Sequence, residues 1–163
     1  MSDKDLNTLF LHGLKDINFA EHAILDALPK MADAASSPNL KKALEGHRRQ
    51  TEVHVSRLDQ IFDLLHEKPV RVPCDAIQGL VREGDEVVEK FEGTRALDAG
   101  LIAAAQAVEH YEMARYGALK AWAEELNLRQ AADLLGQTLA EEKQADLLLT
   151  QLAHERANPA ASH

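Results

Sequence analysis

Four long stretches of this chain repeat apolar residues every three to four positions, and each is interrupted near its middle by acids or imidazoles. The interrupting residues are Glu21; His47, Gln50 and His54; Glu109 and Glu112; and Glu142 and Asp146. Taking a charge out of water is costly unless another group compensates it. Four intrusions on four apolar stripes therefore leave two options. Each group turns separately to solvent, or all of them meet at one polar centre.

The stripes themselves are helical. Leu6, Leu9, Phe10, Leu14, Ile17, Ile24, Leu25, Leu28 and Met31 follow the α-helical period and predict a first helix from about Asp3 to Ala35. Pro29 should kink or fray it. Ser37 can cap a second helix that starts at Pro38, where the missing N–H costs nothing, and runs to about His66. Lys68–Pro73 stops that helix. A shorter amphipathic segment over about 75–92 puts Ile77, Leu80, Val81, Val87, Val88 and Phe91 on one face. A third long helix is expected from about Ala96 to Leu126, and a fourth from about Leu128 to Glu155. Two tight hairpins joined by one long connection are the ferritin-like arrangement: an all-α, antiparallel four-helix bundle whose crossover carries a short extra helix. The expected domain is 1–155, with a disordered tail over 156–163.

Bulk properties narrow the partners. The formal net charge of -9 opposes binding to nucleic-acid phosphate or anionic lipid. The single Cys74 excludes an internal disulfide and fits a reducing compartment. No apolar run approaches the ~20 residues of a membrane span, and Met1–Asp5 is too acidic for a secretory signal. A cytoplasmic protein without nucleic-acid or membrane partners is the expectation.

The chain also matches itself weakly at an offset of 88 residues, where Ala20-Glu21-His22 aligns with Val108-Glu109-His110. The interval from Glu21 to His54 equals that from Glu109 to Glu142. Two related hairpins, each with one ligand-type residue per helix, would give this pattern. So would two unrelated amphipathic hairpins of similar length, since helical periodicity makes apolar matches cheap.

In an antiparallel bundle the midpoints of the helices lie at one height, so the interrupting residues should converge. Carboxylates with imidazole and no thiolate suit iron or manganese, and bundle di-metal sites draw carboxylates and imidazoles from all four helices. The spacing is irregular for such a site: no Glu-x-x-His stands mid-helix, and the helices offer Glu109-x-x-Glu112, Glu142-x-x-x-Asp146 and Gln50-x-x-x-His54 instead. Gln50 is the weak donor of the set, because a neutral amide binds iron less well than a carboxylate and bridges poorly. His47 by itself reads as a satisfied core or edge histidine. Tyr116, one turn beyond Glu112, reads as a core tyrosine with its hydroxyl satisfied, and Phe91 and Trp122 read as packing residues. His12, His22, His110, His154 and His163 carry no signal beyond that of surface histidine. The metal-free alternative is a buried hydrogen-bonded network pairing His and Gln with carboxylates.

Several strings resemble the YciE/YciF family of ferritin-like bacterial stress proteins. They include Leu9-Phe10-Leu11-His12-Gly13-Leu14, Leu28-Pro29-Lys30, Cys74-Asp75-Ala76-Ile77, Val108-Glu109-His110-Tyr111-Glu112 and Leu139-Ala140-Glu141-Glu142-Lys143 with Asp146. The resemblance covers nearly the whole length. It implies a ferritin-like bundle, a homodimer, a link to stress responses and a ferroxidase-like di-metal centre. Its metal positions fall on Glu21, Gln50, His54, Glu109, Glu112, Glu142 and Asp146, with Gln50 departing from the family's usual Glu. The expected activity is oxidation of iron, or of manganese, by peroxide or dioxygen, with Glu21, Glu109 and Glu142 as the catalytic carboxylates. The alternative is a metal-free helical stress protein that works by oligomerisation or partner binding.

Overall fold

The computed structural model describes residues 4–162, and those residues contain helices and no strand. Five long helices appear in order: α1 (Leu6–Ala34), α2 (Pro38–Leu64), α3 (Asp75–Phe91), α4 (Leu97–Glu125) and α5 (Arg129–Leu152). None of them is long and apolar enough to cross a membrane. The expected Asp3 start of the first helix lies outside the described residues, as does His163. The Asp5 side chain accepts the Thr8 N–H at 2.9 Å and caps α1 at Leu6. The helix then continues through Pro29 to Ala34 instead of fraying there. Its last turns are held by tertiary burial of Leu28 and Ala32, which outweighs the one backbone hydrogen bond a proline forfeits. Ser37 caps α2 as expected, with Pro38 at its first position.

Cross-helix contacts fix the directions. The Ser36 and Ser37 N–H groups each donate to the Asp98 carboxylate at 2.8 Å, which ties the end of α1 to the start of α4. Further along the same pair, the Tyr111 hydroxyl donates to Asp16 at 3.1 Å. Helices α1 and α4 thus run antiparallel. So do α2 and α5, where Arg57 meets Thr138 and His54 meets Glu141. So do α4 and α5, where Gln106 reaches Thr150 while Lys120 lies against Gly136. With α1 packed on α2, these pairs close a ring around one apolar core. Its largest fully buried side chains include Phe10, Leu14, Ile17, Phe62 and Leu101.

Helix α3 lies outside this ring, against α4 and α1. The connection that leads to it is pinned to α1: Val72 N–H donates to the Lys15 carbonyl at 3.1 Å, and the Asn18 amide reaches the Pro69 and Val70 carbonyls. Only Ile77 and Gly84 of α3 are buried. Phe91, expected to pack, is 42% exposed as the last residue of the helix. Beyond α5 the chain does not fray at Arg156. A π-helical turn (Ala153–Ala157) and a short helix, α6 (Asn158–Ala161), continue the α5 stripe by burying Ala153 and Ala157.

Helices α3 and α4 approach closely at Gly100, where an added Cβ would sit 2.6 Å from Cγ1 of Val87. Replacing a helix-interior glycine by alanine ordinarily gains about 1 kcal/mol. Here the stiff β-branched neighbour blocks that gain. Gly100→Ala should lower the melting temperature, and Gly100→Ala with Val87→Ala should recover most of the loss, as read by differential scanning calorimetry.

Candidate metal centre

The ring encloses its polar residues because they occupy the apolar stripes and cannot leave them without exposing the core. On α2 the inward positions run Leu40, Leu44, His47, Thr51, His54 and Leu58 at alternating spacings of four and three. On α4 they run Leu101, Ala105, Glu109, Glu112, Tyr116 and Leu119. Helix α1 contributes Glu21 between Ile17 and Ile24, and α5 contributes Glu142 between Leu135 and Leu149. Glu21, His54, Glu112 and Glu142 are each 0% exposed and Glu109 is 2% exposed, so all five are enclosed.

Donor atoms gather in two overlapping sets. His47, Glu109, Glu112 and Glu142 each place one within 4.8 Å of the others, and so do Glu21, His54 and Glu142. Glu142 belongs to both sets. Its Oε1 lies 2.9 Å from Nδ1 of His54, and its Oε2 lies 3.8 Å from Nε2 of His47. His47 Nε2 is also 3.0 Å from Glu109 Oε1, and His54 Nδ1 is 3.5 Å from Glu21 Oε1. The Tyr116 hydroxyl donates a short hydrogen bond to Glu21. On the far side of His54, Nε2 faces Glu141 at 2.9 Å.

Close approach here is not hydrogen bonding. Ten buried side-chain nitrogen and oxygen atoms among the described residues have no hydrogen-bond partner, and nine of them belong to this centre. They are one oxygen each of Glu21 and Glu109, both oxygens of Glu112 and Glu142, both ring nitrogens of His47, and Nδ1 of His54. An unpartnered buried polar atom costs roughly 1–3 kcal/mol. Nine in one place are what a ligand set shows before its ion is counted. Oxygen and imidazole donors without sulfur fit iron or manganese.

Two expected ligands fall elsewhere. Gln50 is exposed, because the four-three alternation turns Thr51 inward and leaves Gln50 off the stripe. Thr51 spends its hydroxyl on the His47 carbonyl at 3.0 Å. Asp146 is half-buried at the α4 edge, where its Oδ1 accepts from Gln106 at 3.1 Å and lies 3.1 Å from His110 Nε2. Conversely His47, read from sequence as a core histidine, is the fourth member of the first donor set. The Leu44–His47–Thr51–His54–Leu58 alternation was the available signal for it. The Tyr116 hydroxyl is satisfied, as expected, but by a member of the centre.

A cavity of about 850 Å³ reaches His47 and Glu109 from the surface. Ile24, Leu28, Leu44, Ala105 and Leu149 line it, and Gln50 also borders it. It forms a largely apolar path from the surface to the centre.

Residues 5–162 match the family described as a domain of unknown function, DUF892. The chain belongs to that family. It is 42% identical to protein YciF of Escherichia coli over 164 residues, covering 100% of this chain and 99% of that one. The crystal structure of the E. coli stress protein YciF superposes with a TM-score of 0.91 at 43% identity, covering 95% of this chain and 98% of that one. YcfI of Rhodopseudomonas palustris superposes with a TM-score of 0.88 at 45% identity, covering 92% and 97%. The YciF resemblance read from the sequence therefore holds, and the DUF892 fold is all-helical.

Burial pushes the carboxyls of Glu109, Glu112 and Glu142 above the ordinary range; neighbouring carboxylates add to this for Glu112 and Glu142, while Glu142 partly offsets it for Glu109. For His54, burial alone would lower the pKa, but the Glu142 and Glu21 carboxylates hold it up to about 10. Each of these groups binds its proton more tightly in the folded than in the unfolded chain. In metal-free protein the resulting stability is fully present below about pH 4.5 for the glutamates and about 6.5 for His54, and it is lost as pH rises through the raised values. The depressed pKa of Glu141, held down by Arg57, acts only at lower pH. The melting temperature in chelator should therefore fall steadily between about pH 5 and pH 9. Glu112→Gln, which keeps the shape without the charge, should flatten that fall. A wild-type melting temperature that is level or rising across the window contradicts the account.

Proposed function

We propose that this protein is a ferritin-like di-metal carboxylate protein that oxidises iron, or manganese, with peroxide or dioxygen as part of a bacterial stress response. The observation that carries the reading is the group of nine unpartnered buried donors on six residues from four helices. In this reading α1, α2, α4 and α5 form the antiparallel four-helix bundle and α3 is the crossover helix. His47, Glu109 and Glu112 would hold one ion and Glu21 and His54 the other, with Glu142 offering one oxygen to each. Four carboxylates carry four negative charges, and two divalent ions cancel them without adding net charge to the core, which favours two ions over one. Ion binding displaces the protons that the raised glutamates otherwise retain.

Bound as Fe(II), the pair would supply one electron each, so that two Fe(II), one hydrogen peroxide and two protons give two Fe(III) and two waters. The chain's own contributions are to hold the donors at fixed spacing, to exclude bulk water with the surrounding Leu and Ile side chains, and to keep Glu21 oriented through Tyr116. The apolar cavity supplies access on the His47 side. A cytoplasmic homodimer completes the proposal, and a net charge of -9 argues against a DNA-protecting role.

The second reading is a metal-free helical stress protein that works by oligomerisation or partner binding. The Tyr116–Glu21 and His54–Glu141 hydrogen bonds favour it, because they show part of the centre satisfied without any ion. Elemental analysis of protein purified without chelator separates the two: the di-metal reading expects about two equivalents of iron or manganese, and less than about a tenth of one counts against it. At a hundredfold excess over Kd, Fe(II) should stabilise the fold by about 2.7 kcal/mol, a rise of roughly 5–10 °C for a chain of this size. Glu142→Ala should abolish most of that rise. Under the metal-free reading the same change lowers the melting temperature and leaves metal content unaltered.

A further inference from the structure

We propose that Glu141 and Arg57, which belong to neither donor set, are positioning residues that hold the His54 ring so that Nδ1 is its metal-facing nitrogen. The inference rests on the di-metal reading and deepens it. Helix α5 presents two consecutive acids with opposite tasks: Glu142 points into the core at 0% exposure, while Glu141 turns toward α2 with its side chain 33% exposed.

Arg57 sits three residues after His54 on α2 and grips Glu141 with both arms of its guanidinium. Nη1 donates to Oε2 at 2.7 Å and Nη2 donates to Oε1 at 2.8 Å. Nη1 also reaches the Thr138 hydroxyl at 3.2 Å, which fixes the fork against α5. A guanidinium offers donors only and stays charged, so both Glu141 oxygens are held as acceptors. The one group that can face Oε2 at 2.9 Å from His54 is then an Nε2–H donor. With the Nε2 proton committed to Glu141, Nδ1 is the nitrogen left to give up its own proton to an incoming ion and coordinate through the freed lone pair. Nδ1 is the nitrogen that lies among Glu142 and Glu21 without a hydrogen-bond partner.

His47 provides the internal contrast. Neither of its ring nitrogens has a hydrogen-bond partner, and no carboxylate–guanidinium pair stands behind it. The chain thus orients one of its two central imidazoles in advance and leaves the other to be oriented by what it binds. Outer hydrogen bonds of this kind fix the tautomer and direction of a ligating histidine.

The test uses the full chain with Co(II) and Zn(II) as probes. Glu141→Gln should weaken Co(II) binding, followed by visible absorption, by about 10–100-fold while leaving the metal-free melting temperature within a few degrees. Arg57→Lys, which keeps the charge but loses the fork, should fall between wild type and Glu141→Gln. In the Zn(II)-loaded wild type, the 15N resonance of His54 Nδ1 should move on loading while Nε2 keeps its proton. Nε2 as the coordinated nitrogen overturns the proposal, as does Co(II) affinity unchanged in Glu141→Gln. A loss of affinity matched by a proportionate loss of metal-free stability also overturns it, since it makes Glu141 a structural residue. Wild-type protein that takes up neither ion defeats the di-metal reading itself, a failure distinct from wild-type binding that Glu141→Gln leaves untouched.

Discussion

Four carboxylates enclosed in a Leu- and Ala-rich interior set the terms for the rest of this molecule. Coulomb repulsion among Glu21, Glu109, Glu112 and Glu142 is strong where little water can screen it, and no lysine or arginine stands among them. Only protons, the two imidazoles or bound cations can offset it. The raised affinity of three of these glutamates for protons and the charge held on His54 are the metal-free answer. Two divalent ions are the more economical one. The fold contains this centre with long helices that keep it far from both ends and a closed ring around it, with the fifth helix packed outside on α4 and α1.

Much of this was legible in the sequence because helical period and burial are local consequences of residue order. The long helices, the Ser37–Pro38 start, the break at Lys68–Pro73 and the convergence of Glu21, His54, Glu109, Glu112 and Glu142 all follow from apolar spacing alone. Gln50 shows where that reasoning fails. It stands between His47 and His54 and lies near the stripe when each residue is placed by eye, yet the strict four-three alternation selects Thr51. The same alternation retains His47, which looked dispensable as a single residue and matters only as one of four. Asp146 fails for another reason. Its position on α5 is nearly inward, and Gln106 on the neighbouring helix captures it at the edge. Partners across a helix interface are set by packing, which no single stripe encodes. Glu141 and Arg57 were not among the site candidates for the same cause, since their pairing runs between α2 and α5.

The weak internal repeat acquires physical content from the structure. Glu21 and Glu109 occupy equivalent places in their hairpins, as do His54 and Glu142, and all four meet at the one centre. The halves nonetheless differ in what surrounds those positions. The first hairpin supplies both imidazoles, and the second supplies the paired acids of α4 and the shared Glu142. The result is a lopsided centre, with Glu109, Glu112 and an unsupported imidazole on one side, Glu21 and a supported imidazole on the other, and Glu142 shared between them.

The sharing of Glu142 between the two donor sets has a consequence for how the protein is made. The residue lies on the last long helix, and every other member of the centre is synthesised before it. Until α5 leaves the ribosome, the growing chain holds only fragments of either set, and the Asp98 clasp on the first hairpin can close while the polar middle is still open. In the di-metal reading, loading would wait for the end of translation, because a polypeptide cut short upstream of α5 lacks Glu142 and has neither donor set complete.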